Sequence, residues 1–348
     1  MNRHVLLVGA TGVVGGAAAR HLAGESGWKV TVASRRDPSL DAAAHISVDL
    51  LDRDVSTAAF SALRDVTHVV YAGYVDRPSM AEAVGPNVAM LTHTLAGLEC
   101  AGAPLERVVL IGGGKSYGEH LGPYKTPAKE SDPRHLGPIF YNDQEDLLRE
   151  DAARRGYNWT VLRPDIVIGP STGSSMNLLT TIAAYAALCR IEGTPLRFPG
   201  SHAAWTALHQ LTDADLLAEA TEWALSSPEA IGEVFNVTNG DLFRWDQMWP
   251  AIAEVFDLPT AAPQPMSLPV QMAGKTAVWE QAVLDYQLVE SSLNELASWT
   301  FADAVWNMGF DLVQSTIKIR QAGFTGCRDS QSNLVEHLSS LRSRHIVP

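Results

Sequence analysis

His4-Val5-Leu6-Leu7-Val8-Gly9-Ala10-Thr11-Gly12-Val13-Val14-Gly15-Gly16 decides how this chain folds. His4–Val8 reads as a buried strand and the residues from Val13 to Leu22 as the helix that follows it. The spacing Gly9-x-x-Gly12-x-x-Gly15 falls between them, where a backbone must turn sharply and approach a pyrophosphate. The free N–H groups and positive end of the following helix favour an anion at that point. The loop residues Gly9, Thr11, Gly12, Val13 and Gly15 are therefore read as dinucleotide contacts.

Outward from that loop, strand and helix patterns alternate. Strands are expected at Lys29–Ala33, His45–Val48, His68–Tyr71, Val108–Ile111, Trp159–Arg163 and Val234–Val237. Helices are expected over Val88–Cys100, Asp143–Arg155, Leu178–Arg190 and Leu211–Leu225. The alternation predicts an α/β fold, a Rossmann-type doubly wound parallel sheet with a smaller, mainly helical substrate lobe. The dinucleotide domain is expected over residues 1–165, completed by about 205–240, and the lobe over 166–204 and 241–348. In that lobe Trp245, Trp249, Trp279, Trp299 and Trp306 argue for an apolar interior and an apolar substrate.

The 348 residues carry a net charge of −13, which argues against nucleic acid or an anionic membrane as a general partner. Cys100, Cys189 and Cys327 form no metal or CxxC pattern and read as buried thiols of a reducing cytoplasm. The short strand before Gly9 is no signal peptide, and no apolar run reaches the ~20 residues of a membrane span.

Arg35 and Arg36, at the end of the second strand, suit the 2′-phosphate of NADP(H) better than the ribose of NAD. Asp49, followed by Leu50, either meets the adenine amino group or caps the segment near Ser56–Leu63. Gly73 and Ile111, at strand ends, are expected beside the cofactor. Asn87 either ties strand-end loops together or caps the helix after it. Val167 is expected against the nicotinamide, with Ser174, Ser175 and Met176 on the rest of the cofactor. Lys115, on the loop after Val108–Ile111, and Tyr141, at the start of the next helix, are placed to meet over one cavity. Trp205 and Phe324 are candidates for the substrate pocket, and core packing accounts for both equally.

Strand, glycine loop and a later Tyr and Lys resemble the extended short-chain dehydrogenases. Their usual Tyr-x-x-x-Lys is not kept, because Glu145 stands four residues after Tyr141, and glycines 112 and 113 stand where a Ser or Thr is usual. The loop Gly112-Gly113-Gly114-Lys115-Ser116-Tyr117-Gly118 and the stretch Ile139-Phe140-Tyr141-Asn142-Asp143-Gln144-Glu145-Asp146 instead resemble the progesterone 5β-reductase/iridoid synthase family. Its motifs read roughly Thr-Gly-x-Lys-His-Tyr-x-Gly and Asn-Phe-Tyr-Tyr-x-x-Glu-Asp. Gly112, Ser116 and Asn142 are departures from them. Further similarity lies in Arg163-Pro164, Ser175-Met176-Asn177-Leu178, Ala203-Ala204-Trp205 and Gly323–Ser330.

The resemblance implies an NADPH-dependent reductase of C=C bonds conjugated to a carbonyl, acting on a small apolar enone, steroid or terpenoid. Tyr141 would stabilise the enolate oxygen, and Lys115 would add positive charge and lower the tyrosine pKa. It also implies a homodimer through the helices Val88–Cys100 and Asp143–Arg155, with a monomer left open. Carbonyl (1,2) reduction, sugar-nucleotide epimerisation or dehydration, and non-catalytic NADP sensing stay open at this point. No metal site is expected.

Overall fold

A computed structural model describes residues 3–174, 176–289 and 292–348. Seven parallel strands form one sheet: β1 (Arg3–Val8), β2 (Trp28–Ser34), β3 (Ala43–Ser47), β4 (His68–Tyr71), β5 (Arg107–Ile111), β6 (Asn158–Pro164) and the strand Glu233–Val237. Their order across the sheet is Glu233–Val237, β6, β5, β4, β1, β2, β3. Both faces are covered, which is why the central strands read as unbroken apolar runs. Val5, Leu6, Leu7, Val69, Val70, Val108, Val109 and Leu110 have no exposed area. One face carries α1 (Val13–Gly24) and the helix Ala214–Ser226. The other carries α2 (Arg53–Phe60), α3 (Met80–Ala101) and α4 (Phe140–Arg155).

The chain builds the sheet outward in one direction from β1 to β3, then returns to β4 on the other side of β1. That reversal opens a crevice beyond the carboxyl ends of β1 and β4, where ligands bind in sheets of this kind. The remaining helices make an apolar lobe over it. The helices α5 (Leu178–Ile191), Trp245–Val255, Trp299–Trp306 and Ser330–Ser343 share one core. Trp245, Trp249 and Trp306 meet edge to face there, with centroids 5.6–6.1 Å apart. The expected tryptophan-rich interior is thus real, but these rings are lobe core.

Several local expectations change. The helix α3 begins at Met80, not after Asn87, because Ser79 caps it: Ser79 Oγ accepts the Glu82 N–H at 3.2 Å and donates to Glu82 Oε1 at 2.9 Å. Pro86 lies inside this helix without ending it. Asn87 is fully buried and is a tie: its side chain accepts from Val75 N–H and donates to the carbonyls of Val75 and Ala83. The cap of α2 is Asp52, which accepts the Val55 N–H at 3.0 Å, and not Asp49. Cys100 and Cys327 are exposed, and only Cys189 is buried as expected. Among the described residues no helix is long and apolar enough to cross a membrane.

Candidate active site

The crevice holds a cavity of about 440 Å³. Its floor is the glycine loop, and each glycine has a separate reason to be there. Gly9 has φ +91° and a Cβ on it would lie 2.5 Å from the Ala72 carbonyl oxygen, so the turn needs the left-handed conformation and no side chain. A Cβ on Gly15 would collide with the Gly9 carbonyl, so α1 packs on the turn only through a glycine. The protein itself does not crowd Gly12: its nearest neighbour would be 3.5 Å away, and it lines the cavity. What that bare position leaves is room for a ligand's backbone over the start of α1. No side chain caps that helix, so its first N–H groups face the crevice.

Arg35 and Arg36 follow β2 and line the same cavity. Neither guanidinium has an ion-pair partner among the described residues, in a chain with 39 acidic side chains. A Cβ on Gly173 would stand 3.6 Å from Arg36 Nη2, so this arginine reaches the loop after β6 across the cavity.

Lys115 stands in the short helical turn Gly114–Tyr117 at the end of β5. Its ammonium makes no hydrogen bond or ion pair among the described residues, although it is half-buried and lines the cavity. Burial lowers its pKa, while the neighbouring acids Glu119 and Asp76 pull it back up. Tyr141 is in the first turn of α4, its ring packed on Phe140 with centroids 4.4 Å apart. The ring lies directly over Gly113, where a Cβ would be 2.9 Å from Tyr141 Cε2 and 3.2 Å from its hydroxyl. The absence of a serine or threonine at Gly113 is therefore structural: the tyrosine occupies that space. The expected lowering of the Tyr141 pKa by Lys115 is not what the site shows. Burial raises it, and the Glu119 carboxyl adds to the rise, so Tyr141 is a hydrogen-bond donor that keeps its proton.

Glu145 explains the missing Tyr-x-x-x-Lys. It is fully buried and takes Arg163 of β6 in a bidentate pair, with Nε and Nη2 each 2.9 Å from a carboxylate oxygen. Arg134 and Arg149 add weaker contacts at 3.4 and 3.8 Å. The Arg163 guanidinium lies 5.1 Å over the Tyr117 ring, whose hydroxyl donates to Asn236 Oδ1. A lysine would find this position already filled by cations.

Of the remaining expected contacts, Thr11, Val13, Gly73, Ile111, Val167, Ser174 and Met176 line the cavity. Ser175 lies outside the described residues. Asp49 and Leu50 do not line it: Asp49 accepts the Leu51 N–H at 3.1 Å, and Leu50 is buried in the core beneath β3. Trp205 packs on Phe198 and Phe324 on Trp223, both away from the cavity lining. Apolar wall that sequence reasoning missed comes from Phe140, Phe301, Val305, Met308 and Leu312, and the buried acids Glu119 and Asp165 also face in. The stretch from Trp299 to Asp303 carries an apolar helical pattern, the one signal that pointed there. A second cleft, about 540 Å³, lies beside Glu233–Val237, where Lys318 and Glu233 pair at 2.6 Å.

A family model described as a PRISE-like Rossmann-fold domain matches residues 33–292. The chain belongs to this family. Its full-length relatives include an (S)-8-oxocitronellyl enol synthase of Camptotheca acuminata, 36% identical over 99% of this chain and 93% of that protein. The 3-oxo-Delta(4,5)-steroid 5-beta-reductase of Arabidopsis thaliana is 35% identical, over 99% and 92%. A solved structure with the same fold is a UDP-glucose 4-epimerase from Thermotoga maritima, with TM-score 0.71 at 16% identity, covering 98% of this chain and 99% of that one. This chain sets a lysine and a tyrosine over one cavity, and it shares only the fold with the epimerase.

Proposed function

We propose that this enzyme is an NADPH-dependent reductase of C=C bonds conjugated to a carbonyl, acting on small apolar enones of steroid or terpenoid type. One observation carries the reading: an unpaired Lys115 ammonium and a protonated Tyr141 hydroxyl line the same cavity as the glycine loop. Full-length relatives named as a steroid 5-beta-reductase and an oxocitronellyl enol synthase support it.

The residues fit a nicotinamide dinucleotide. Gly12 leaves space over an uncapped helix start for a pyrophosphate, and Arg35 and Arg36 are free for a 2′-phosphate. Val167 would contact the nicotinamide, and Ser174 and Met176 the rest of the cofactor. When bound, the cofactor supplies hydride to the β-carbon of the substrate. The chain's own part is electrostatic. Tyr141 donates a hydrogen bond to the carbonyl oxygen as it becomes an enolate, and Lys115 compensates the growing negative charge. The tyrosine is held before substrate arrives, its ring packed against Phe140 and Gly113, so little reorganisation is needed there. Phe301, Val305, Met308 and Leu312 supply the apolar wall that excludes water. Against epimerase chemistry stands Glu145, bound to Arg163 where that chemistry would want a lysine.

We place the dinucleotide domain at residues 1–165 with about 205–240, and the substrate lobe at 166–204 and 241–348. The exposed flank of α3 and α4 is the proposed homodimer face, and a reducing cytoplasm the proposed setting, in keeping with three unbridged cysteines. The deciding experiment is NADPH oxidation with 2-cyclohexen-1-one, with products identified by mass. Cyclohexanone is expected from the wild type. Tyr141→Phe and Lys115→Ala should lower the rate by about 10²–10³, the usual loss for one oxyanion donor. Cyclohexenol as product would replace this reading with carbonyl reduction.

A further inference from the structure

The cavity has a second polar wall that the reduction described above does not use. Glu119 and Asp165 both line it, only 9% and 6% exposed, and each has one carboxyl oxygen without a hydrogen-bond partner. The other oxygen of Asp165 accepts the Ile166 N–H at 2.8 Å. The Gln314 side chain, fully enclosed, has both polar atoms unpartnered, and its Nε2 converges with Glu119 Oε2 on Gly114, where a Cβ would collide with both. An unpartnered buried polar atom is worth about 1–3 kcal/mol of lost stability. Those of Glu119 and Asp165 share one wall of one cavity and mark a site with work to do.

The placement indicates what that work is. The Tyr141 hydroxyl lies over Gly113, and the Glu119 carboxyl lies over Gly114, the next residue of the same loop. Both groups line one cavity from neighbouring positions of that loop, so a substrate held at Tyr141 shares the cavity with Glu119. The groups facing this carboxyl are Lys115 from the turn after β5, Asp165 after β6, Tyr141 from α4, Tyr124 from the loop between, and the neutral Gln314 amide. Asp76 acts only through Lys115. Burial and then the neighbouring Asp165 raise Glu119 well above an ordinary carboxyl, against the pull of Lys115, while burial lifts Asp165 to about 7. The pair thus holds at least one proton near neutral pH.

We propose that Glu119 is the acid that protonates the α-carbon of the enolate, so that this chain releases a saturated ketone of one configuration. The inference rests on the enone-reductase reading. Once hydride has added at the β-carbon, the enolate electron pair forms the α C–H bond and the Glu119 O–H bond breaks. The resulting carboxylate recovers its proton from solvent at the cavity mouth, and no further oxidant or reductant takes part. Tyr141 keeps its own proton throughout.

The test uses 2-methyl-2-cyclohexen-1-one with NADPH in D₂O, because protonation at its α-carbon creates a stereocentre. The wild type should give one enantiomer of 2-methylcyclohexanone with deuterium at that carbon. Glu119→Gln should give racemic ketone, because the step it loses follows hydride addition. Asp165→Asn removes the influence that, after burial, raises Glu119, so its selectivity should be lost at a lower pH than in the wild type. One enantiomer from Glu119→Gln, or racemic ketone from the wild type, overturns the proposal and leaves the reductase standing. Loss of NADPH oxidation in Glu119→Gln with unchanged circular dichroism and NADPH binding also overturns it, since Glu119 would then act earlier. No ketone at all from the wild type overturns the reductase reading itself.

Discussion

Gly113→Ala pushes on Tyr141 with a single methyl group. The backbone at Gly113 is extended, φ −178° and ψ 170°, a conformation any residue adopts, so the substitution acts through its side chain alone. Its Cβ would lie 2.9 Å from Tyr141 Cε2, 3.1 Å from Cζ and 3.2 Å from the hydroxyl. Carbon atoms rest at about 3.5–4.0 Å, so the ring must retreat by roughly 0.5–1 Å. Phe140, 4.4 Å away centroid to centroid, limits the retreat. Catalytic groups tolerate about 0.5 Å, and a 1 Å misplacement can cost ~10² in rate. We therefore expect kcat for 2-cyclohexen-1-one to fall about 10- to 100-fold, with NADPH affinity unchanged and about 1–3 kcal/mol of stability lost to overpacking. Gly112→Ala is the control, because its Cβ would rest 3.5 Å from Arg163 and Val161 in ordinary contact. In a Tyr141→Phe background the Gly113 substitution should add little, since the hydroxyl it displaces is gone. Wild-type kcat in Gly113→Ala, or an equal loss in Gly112→Ala, would refute the claim that this glycine exists to seat the tyrosine.

Replacing Arg35 and Arg36 together by alanine should raise the Kd for NADPH about 10- to 100-fold, the usual worth of charged hydrogen bonds, and leave NADH binding nearly unchanged; titration calorimetry reads both. Arg163→Met strands the buried Glu145 and should cost about 3–5 kcal/mol in urea unfolding, most of it recovered when Glu145→Leu is added. His209 is fully enclosed, and burial lowers its pKa from 6.5 to about 4. The unfolded chain therefore binds the extra proton first, so stability is complete above pH 6.5 and declines as pH falls toward 4, by up to about 1.4 kcal/mol per pH unit from this residue. His209→Gln should flatten that part of the stability profile.

The sheet was legible because its strands are buried on both faces and flanked by glycines, so β1, β4 and β6 announce themselves as apolar runs. The glycine loop was legible for the same local reason, and Lys115 and Tyr141 because each stands beside a recognisable turn. What failed involved competition between nearby signals. Pro86 obscured the start of α3, although Ser79 and Glu82 already spelled its cap. Asp49 and Asp52 are both plausible caps in sequence, and only the backbone path selects Asp52. Trp205 and Phe324 look like pocket residues because aromatic side chains look alike in a sequence; Phe198 and Trp223 claim them. Glu119, Asp165 and Gln314 come from three distant segments, and no spacing within any one of them says that they meet.

The Glu145–Arg163 pair bears on how such a site can change over generations. Restoring lysine at residue 145 in one step would set an ammonium against Arg163, with Arg134 and Arg149 near by. Losing Arg163 first would strand a carboxylate in the core and bare the face of Tyr117. Each substitution is tolerable only after the other, so the two lysine placements are separated by strong epistasis. A chain with this pair in place and its lysine on the loop after β5 is held to that arrangement by the core of its sheet.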